Sequence, residues 1–489
     1  MKLIFRTTIA VSALLYSGLK ANAQCTITNA TSCVCATSGQ TDCDLLPDMT
    51  ISWNALSTVQ SGPTEYGQTG SDAARLRVSG STPNIGKGNL EVRGQTDGSI
   101  RAFICGTDTN YVTGGQTSYT CPNGLTPKQI LYQRVYHKNG NVMSYTDEQT
   151  GTMTYHPNHG HYHVDDWTTM TLRIQDPNEP LPTNWPIVAT GAKIGFCLMD
   201  YYDCWESSAN GHCRTAQQWQ QGSVLNTSAQ FPNNGLFRDY SCSADFQGIS
   251  TGRTDLYGEW LEGMWINLMP DLCNGNYWIV AEVDPQNVFR EENEANNWTA
   301  MPFTIALQRA ANSGGSAWIK SDKRPVVGGG STVTLTATPG SSYLWNTGAT
   351  TRSITVSQAG NYSCAVSAPC GTLVTGNLTV SALAAPSAPT GTGATVPGPS
   401  TADLSCTGSD PQWYTAASGG DPVGSGNAFT TPMLSTTTTF YAADRATLPG
   451  NNVSGGMSYA GGNGANYNGK QWLLFDAYQP FTLKTVQVY

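Results

Sequence analysis

Four of the six histidines stand within eight residues, in the run His156-Pro157-Asn158-His159-Gly160-His161-Tyr162-His163. On an extended strand, side chains at i, i+2 and i+4 share a face. The spacing therefore predicts a strand that carries His159, His161 and His163 on one side, roughly 6–7 Å apart at neighbouring steps. Imidazole arms on a twisted strand can converge on one ion. Three neutral imidazoles with open positions suit Cu(II), Zn(II) or Ni(II), and the spacing does not choose among them. Oxidising surroundings make copper the chemically useful choice. The bland alternative is a solvated strand that happens to be rich in histidine, and it is disfavoured because only two other histidines exist in the chain. His156 falls on the far side of Pro157 and is expected beside the ligands rather than among them. Asp165 and Asp166 follow, as candidates to orient an imidazole or cap a turn.

The elements that must position these groups read as strands. The composition is rich in Gly, Ser and Thr and poor in charge, which favours short strands and turns over long helices. Strand-like runs include Met49–Trp53, Arg75–Val78, Thr169–Ile174 and Tyr277–Val283, separated by Gly, Asn, Asp and Pro clusters. A turn or two of helix is expected within Thr215–Gln221. The fold class predicted is all-β: a large β-sandwich over residues 24–312 with long loops pinned by disulfides, followed by small immunoglobulin-like β-sandwich domains.

Residues 1–23 read as a secretory signal. Lys2 and Arg6 precede an apolar run, and Ala21-Asn22-Ala23 fits a cleavage site. Later runs are too short to span a bilayer, so no membrane span is expected, and the chain is placed outside the cell or at its surface. Losing Lys2, Arg6 and Lys20 with the leader makes the formal charge of −9 three units more negative. An acidic surface disfavours nucleic acid and mildly favours cationic partners such as amines. Fourteen cysteines in an exported chain suggest disulfides, and this reading is preferred over a metal pair for Cys33 and Cys35.

Beyond residue 315 histidine is absent and three cysteines remain. Two segments, 317–384 and 385–445, each place a core tryptophan (Trp345, Trp413) before a late tyrosine strand (Tyr362, Tyr441), the pattern of an immunoglobulin-like sandwich. The first has no early cysteine to pair with Cys364. Regular β alternation argues against a low-complexity linker. Residues 446–489 read as the start of a further β-rich module. The apolar alternation at Phe481–Tyr489 stops in mid-pattern, as a fragment would.

The histidine run, with Asp166-Trp167 after it, resembles the copper-binding segment of the lysyl oxidase family. Two further stretches match in order and spacing. Lys193-Ile194-Gly195-Phe196-Cys197-Leu198-Met199-Asp200 is similar to the family's Lys-x-x-Phe-Cys-Leu-x-Asp. Gly248-Ile249-Ser250-Thr251-Gly252, leading to Asp255-Leu256-Tyr257 and then Trp265, is similar to the stretch holding its modified tyrosine. The resemblance covers about residues 44–305. It implies copper on His159, His161 and His163, and Lys193 and Tyr257 as precursors of a self-made lysine tyrosylquinone. The activity implied is oxidation of primary amines, peptidyl lysine or small amines, by O2 to aldehydes, with release of H2O2 and ammonia. Asp255 lies close to Tyr257 in sequence, but the general base stays unassigned.

The resemblance also implies a calcium site from Asp44, the Leu45 carbonyl, Glu291, Asn293, Asn296 and Asn297; the family usually has Asp where Asn293 stands. A solvated acidic turn is the competing reading. Asn158, Arg253 and Gly263 occupy positions where animal members have cysteine, so the family's disulfides do not transfer whole. The pairs expected are Cys197–Cys242, Cys204–Cys213 and Cys105–Cys121. Three other readings remain open beside the amine oxidase. One is a copper-binding protein that never forms the quinone. Another is an adhesin whose tail modules bind cell-surface or matrix components. The last is a zinc hydrolase, for which Asp165 and Asp166 supply no clear carboxylate.

Overall fold

In the computed structural model the described residues are 25–445, apart from 96–99, 114–117, 194, 270–271, 310–316, 329 and 384. The leader expected over 1–23 and the module expected over 446–489 lie outside them. Strand accounts for 42% of the described residues and helix for 7%, which makes it an all-β protein. It divides into two compact units between Ser313 and Gly314.

Ten strands of the first unit position the site: β1 (Gly80–Pro83), β2 (Leu90–Arg93), β3 (Lys128–Asn139), β4 (Val142–His156), β5 (His161–Val164), β6 (Thr168–Arg173), β7 (Phe246–Ile249), β8 (Arg253–Tyr257), β9 (Gly275–Val283) and β10 (Trp298–Ile305). One sheet runs β5-β4-β3-β2-β7, and a second starts β10-β9-β6 and continues through four short strands. A small third sheet pairs β8 with β1 and with Tyr202–Asp203. All these pairings are antiparallel.

The core lies between the two large sheets. Leu90, Val92 and Leu131 of the first meet Leu172, Ile279, Val283, Met301 and Ile305 of the second. On β9 the inward set Tyr277, Ile279, Ala281 and Val283 alternates along the strand, as a period of two requires. Trp167, fully buried, fills the centre just after the Asp166 turn, where φ is +53°. Beneath β2 the buried Glu91 accepts from Tyr240 Oη at 2.6 Å, Tyr136 Oη at 3.0 Å and Arg93 Nη1 at 2.6 Å, so the charge is not left alone.

Disulfides pin the loops, among them Cys25–Cys33, Cys35–Cys43, Cys105–Cys121, Cys197–Cys242 and Cys204–Cys213. They include the three pairs the resemblance implied, and Cys33 and Cys35 are bridged rather than a metal pair. Cys197–Cys242 closes 45 residues, worth about 4 kcal/mol in the chain-entropy account.

Two local expectations are corrected. Met49–Trp53 is not a strand. Thr50 and Ser52 donate to the Pro83 and Ser81 carbonyls, and then the Ser52 hydroxyl accepts from Ala55 N and starts a helix, Trp53–Thr58. Within Thr215–Gln221 only a 3-10 turn forms, Gln218–Gln220, because Trp219 and Gln220 adopt φ of +56° and +60°.

The second unit holds two small sandwiches. Trp345 and Cys364 lie in the core of the first, and the Tyr362 hydroxyl donates to the Gln358 carbonyl at 2.8 Å, as a tyrosine corner does. Cys364 is a buried free thiol, in keeping with the missing early cysteine. In the second, Trp413 is buried and stacks on Phe429 at 5.4 Å.

His212 in the first unit is 3% exposed, its Nδ1 lacks a partner among the described residues, and burial pushes its pKa down to about 4. As pH falls from about 6.5 to about 4, the unfolded chain takes up a proton that the folded chain refuses. Stability present above that window is lost through it, by roughly 3 kcal/mol from this residue. In His212→Phe the loss of urea resistance between pH 7 and pH 4.5 should shrink by most of that amount; an unchanged pH dependence would show that His212 does not titrate this way.

Candidate metal centre

The histidines occupy the hairpin joining β4 to β5. His156 and His161 are register partners across it. Pro157–Gly160 form the turn, closed by His159 N and Gly160 N donating to the His156 carbonyl at 3.1 and 2.9 Å. This corrects the expected strand: it begins at His161, and His159 sits in the turn. Gly160 is the reason, because its φ of +72° breaks the extension before His161. His161 and His163 still share a face, and His159 reaches the same point from the turn.

His161 Nε2 and His163 Nε2 are 3.1 Å apart, and His159 Nδ1 lies 3.3 Å from His163 Nε2. An ion about 2.0–2.1 Å from each nitrogen would see these separations as angles of roughly 100°, so the three residues fit one small transition-metal ion. Burial first, then Lys193 and the neighbouring imidazoles, pushes the His163 pKa down to about 3, and burial lowers that of His161. Lone pairs are therefore free at neutral pH. His156 stacks beside the set, 4.5 Å from the His159 ring and 4.9 Å from that of His163, but is not one of the converging three. Asp165 accepts from Thr152 and Thr154 at 2.7 and 3.0 Å and pairs with Lys128, so it holds the hairpin rather than an imidazole. Glu262, whose Oε2 lies 3.4 Å from His159 Nε2, carries no signal in its neighbours along the chain. A carboxylate there fixes the ring with Nδ1 turned to the metal.

The Lys193 segment is brought alongside by a backbone bridge. Val164 N donates to the Phe196 carbonyl at 2.7 Å and Phe196 N returns to Val164 at 3.0 Å. A Cβ on Gly195 would stand 3.5 Å from that of His163. Gln247 on β7, fully buried, ties the same strands: its Nε2 donates to the Tyr162 carbonyl at 2.9 Å and its Oε1 accepts from Leu198 N at 3.0 Å. Asp200 joins the other two matching stretches by accepting from Ser250 N at 2.7 Å and Ser250 Oγ at 2.8 Å.

Lys193 Nζ lies 6.0 Å from the centre of the Tyr257 ring and 5.1 Å from that of Phe196. Burial lowers the lysine pKa, opposed by Glu262. The Tyr257 hydroxyl donates to the Cys197 carbonyl, and Phe196 meets the ring edge-on at 4.6 Å. Because β8 is extended, Asp255 and Tyr257 share a face and interact through their side chains. Burial drives both pKa values well up.

The residues named for calcium do not gather as one set. Both Asp44 oxygens are engaged, by His137 Nδ1 at 2.7 Å and Arg290 Nη2 at 2.6 Å, and Leu45 is fully buried on the same short strand. Asn293 caps a 3-10 turn, and Asn296 donates to Asp48 at 2.7 Å. Asn297 donates to Glu291 at 3.1 Å. The carboxylates that converge are those of Asp284, Glu291 and Glu294. Asp284 was missed because it sits a loop away, and Glu294, exposed on the 3-10 turn, joins the other two only in the folded loop.

The family described as "Lysyl oxidase" matches residues 226–311. Over that segment the chain is similar to the lysyl oxidase family. A second family, "Ig-like domain CHU_C associated", matches residues 386–448 and accounts for the last sandwich. Over 144 residues the chain is 27% identical to protein-lysine 6-oxidase of Gallus gallus and 28% identical to that of Homo sapiens. Each match takes in 29% of this chain and 26% of the relative, so the chain spans about a quarter of the length of these curated relatives. The matched lysyl oxidase segment includes Tyr257, Glu262 and the Asn-rich loop, while the histidine hairpin lies before it.

Glu262→Ala should weaken Cu(II) affinity about tenfold, the low end for a residue that orients a ligand, because this carboxylate is largely exposed. Competition against a chelator measures it; equal affinities would show that Glu262 does not orient His159.

Proposed function

We propose that the lysyl oxidase domain is a copper-dependent amine oxidase acting outside the cytosol. It would convert a primary amine, O2 and water to an aldehyde, ammonia and H2O2. The observation that carries this reading is Lys193 Nζ at 6.0 Å from the Tyr257 ring, in a segment bridged to the strand of three converging imidazoles. His159, His161 and His163 would hold copper, and Lys193 and Tyr257 would furnish lysine tyrosylquinone. Copper with O2 supplies the oxidising capacity, and the quinone supplies an electrophilic carbonyl for an amine.

The chain's own residues suit these roles. Burial favours the neutral Lys193 amine, whose lone pair is the nucleophile a cross-link to the Tyr257 ring requires. The lysine side chain has the reach and freedom to close the remaining gap. The Cys197 carbonyl and the Phe196 edge fix where the tyrosine ring sits. Asp255, buried on the same face, is the group positioned to exchange a proton with the Tyr257 oxygen. At the open side, Glu262 is 63% exposed beside Lys193 and His159, and its charge draws ammonium groups toward the site.

The disulfides support an oxidising compartment, and among the described residues no helix is long and apolar enough to cross a membrane. Peptidyl lysine and small amines both remain substrates of this proposal, and the immunoglobulin-like modules are proposed to hold the enzyme at cell-surface or matrix components. Calcium at Asp284, Glu291 and Glu294 is part of the same proposal, since hard oxygen donors suit it.

The test is mass spectrometry of peptides containing Lys193 and Tyr257 from copper-loaded, aerated protein. A cross-link and quinone absorbance are expected in wild type. Tyr257→Phe should lose both, together with amine-dependent peroxide release. Copper-replete wild type without the cross-link would leave a copper-binding protein or an adhesin instead.

A further inference from the structure

A different group of metal-binding atoms lies against the histidine hairpin. One ring nitrogen of His161 and the sulfurs of Cys197 and Cys242 all fall within 4.8 Å of one another. The two sulfurs are joined as a disulfide, and in that form they are poor ligands, since the thiolate is the species that binds metal. We propose that opening this disulfide creates a Cys2His site for a soft or borderline ion, Cu(I) or Zn(II), built on His161. The disulfide state then sets what the protein offers a metal here: three imidazoles when closed, two thiolates and a shared imidazole when open.

The chemistry follows from donor type. Thiolates select Cu(I) and Zn(II) over harder competitors. Two cysteines, one histidine and an open position make a known zinc arrangement. The positions also suit the opening step. Cys242 is half-buried while Cys197 is buried, so an external reductant meets Cys242 first. A water-soluble phosphine attacks that sulfur and the S–S bond breaks. Two thiols form with protons from water, and the phosphine leaves as its oxide carrying the water oxygen. Each thiol then gives up its proton on binding the ion. Cys197 also supplies the carbonyl that holds the Tyr257 hydroxyl, so a metal drawn onto its sulfur acts on the backbone that fixes the tyrosine. None of this requires the quinone, and its test needs no turnover.

Cobalt(II) alone is the probe, because thiolate ligation gives a sulfur-to-cobalt absorption in the near ultraviolet that imidazole does not. Cys242→Ser frees Cys197, and Cys197→Ser frees Cys242, with the other disulfides left closed. Wild type, whose Cys364 and Cys406 are already free, sets the background. At least one single variant that keeps the wild-type circular dichroism should show the new absorption. Adding His161→Ala to that variant should weaken cobalt binding about tenfold or more. Phosphine-treated wild type should gain the band, and Cys197→Ser/Cys242→Ser treated alike should not. Folded single variants without the band would overturn the proposal, as would a band whose cobalt affinity is indifferent to His161. The quinone reading is untouched by either result.

Discussion

Two backbone hydrogen bonds, between Val164 and Phe196, hold the site together. They attach an irregular segment to the end of a strand that carries two of the three converging imidazoles. Lys193 lies three residues to one side of Phe196, and Cys197, with its disulfide and its carbonyl for Tyr257, lies directly on the other. Without that bridge the hairpin, the lysine and the phenol would belong to three unrelated loops. Gln247 from β7, and Asp200 from the stretch before Tyr202–Asp203, serve the same end, each using one side chain to join two segments. A buried amide or carboxylate with every bond made is costly to rearrange, so the site inherits the rigidity of the sheets.

The charge distribution suits the site to a cation. Four imidazoles and a lysine crowd one edge of the sandwich, and Glu262 is the carboxylate nearest to them. Protonating them together would set like charges within a few ångströms. Burial prevents this by holding His163 and His161 neutral and lowering Lys193. What results is a set of unprotonated nitrogens about 3 Å apart, a repulsive arrangement of lone pairs that a cation relieves. The same low dielectric that keeps the bases neutral pushes the pKa values of Asp255 and Tyr257 up.

The second unit follows a simpler rule. Each sandwich is built around one tryptophan, Trp345 or Trp413, with short strands on either side. Its modules contain no histidine.

The strand class, the positions of most long β runs, the clustering of the histidines and the order of the three family-like stretches were legible in the sequence alone. These follow from local periodicity and residue type, which do not depend on what packs nearby. It did not determine that His159 leaves the strand, because one glycine at φ +72° decides that. It misread Met49–Trp53, since a serine that caps a helix looks like any polar residue in an alternation. Glu262, Gln247, Asp284 and Glu294 carry no signal in their neighbours. Their roles arise when loops far apart in the chain meet, and only the tertiary structure brings them within bonding distance of the groups they serve.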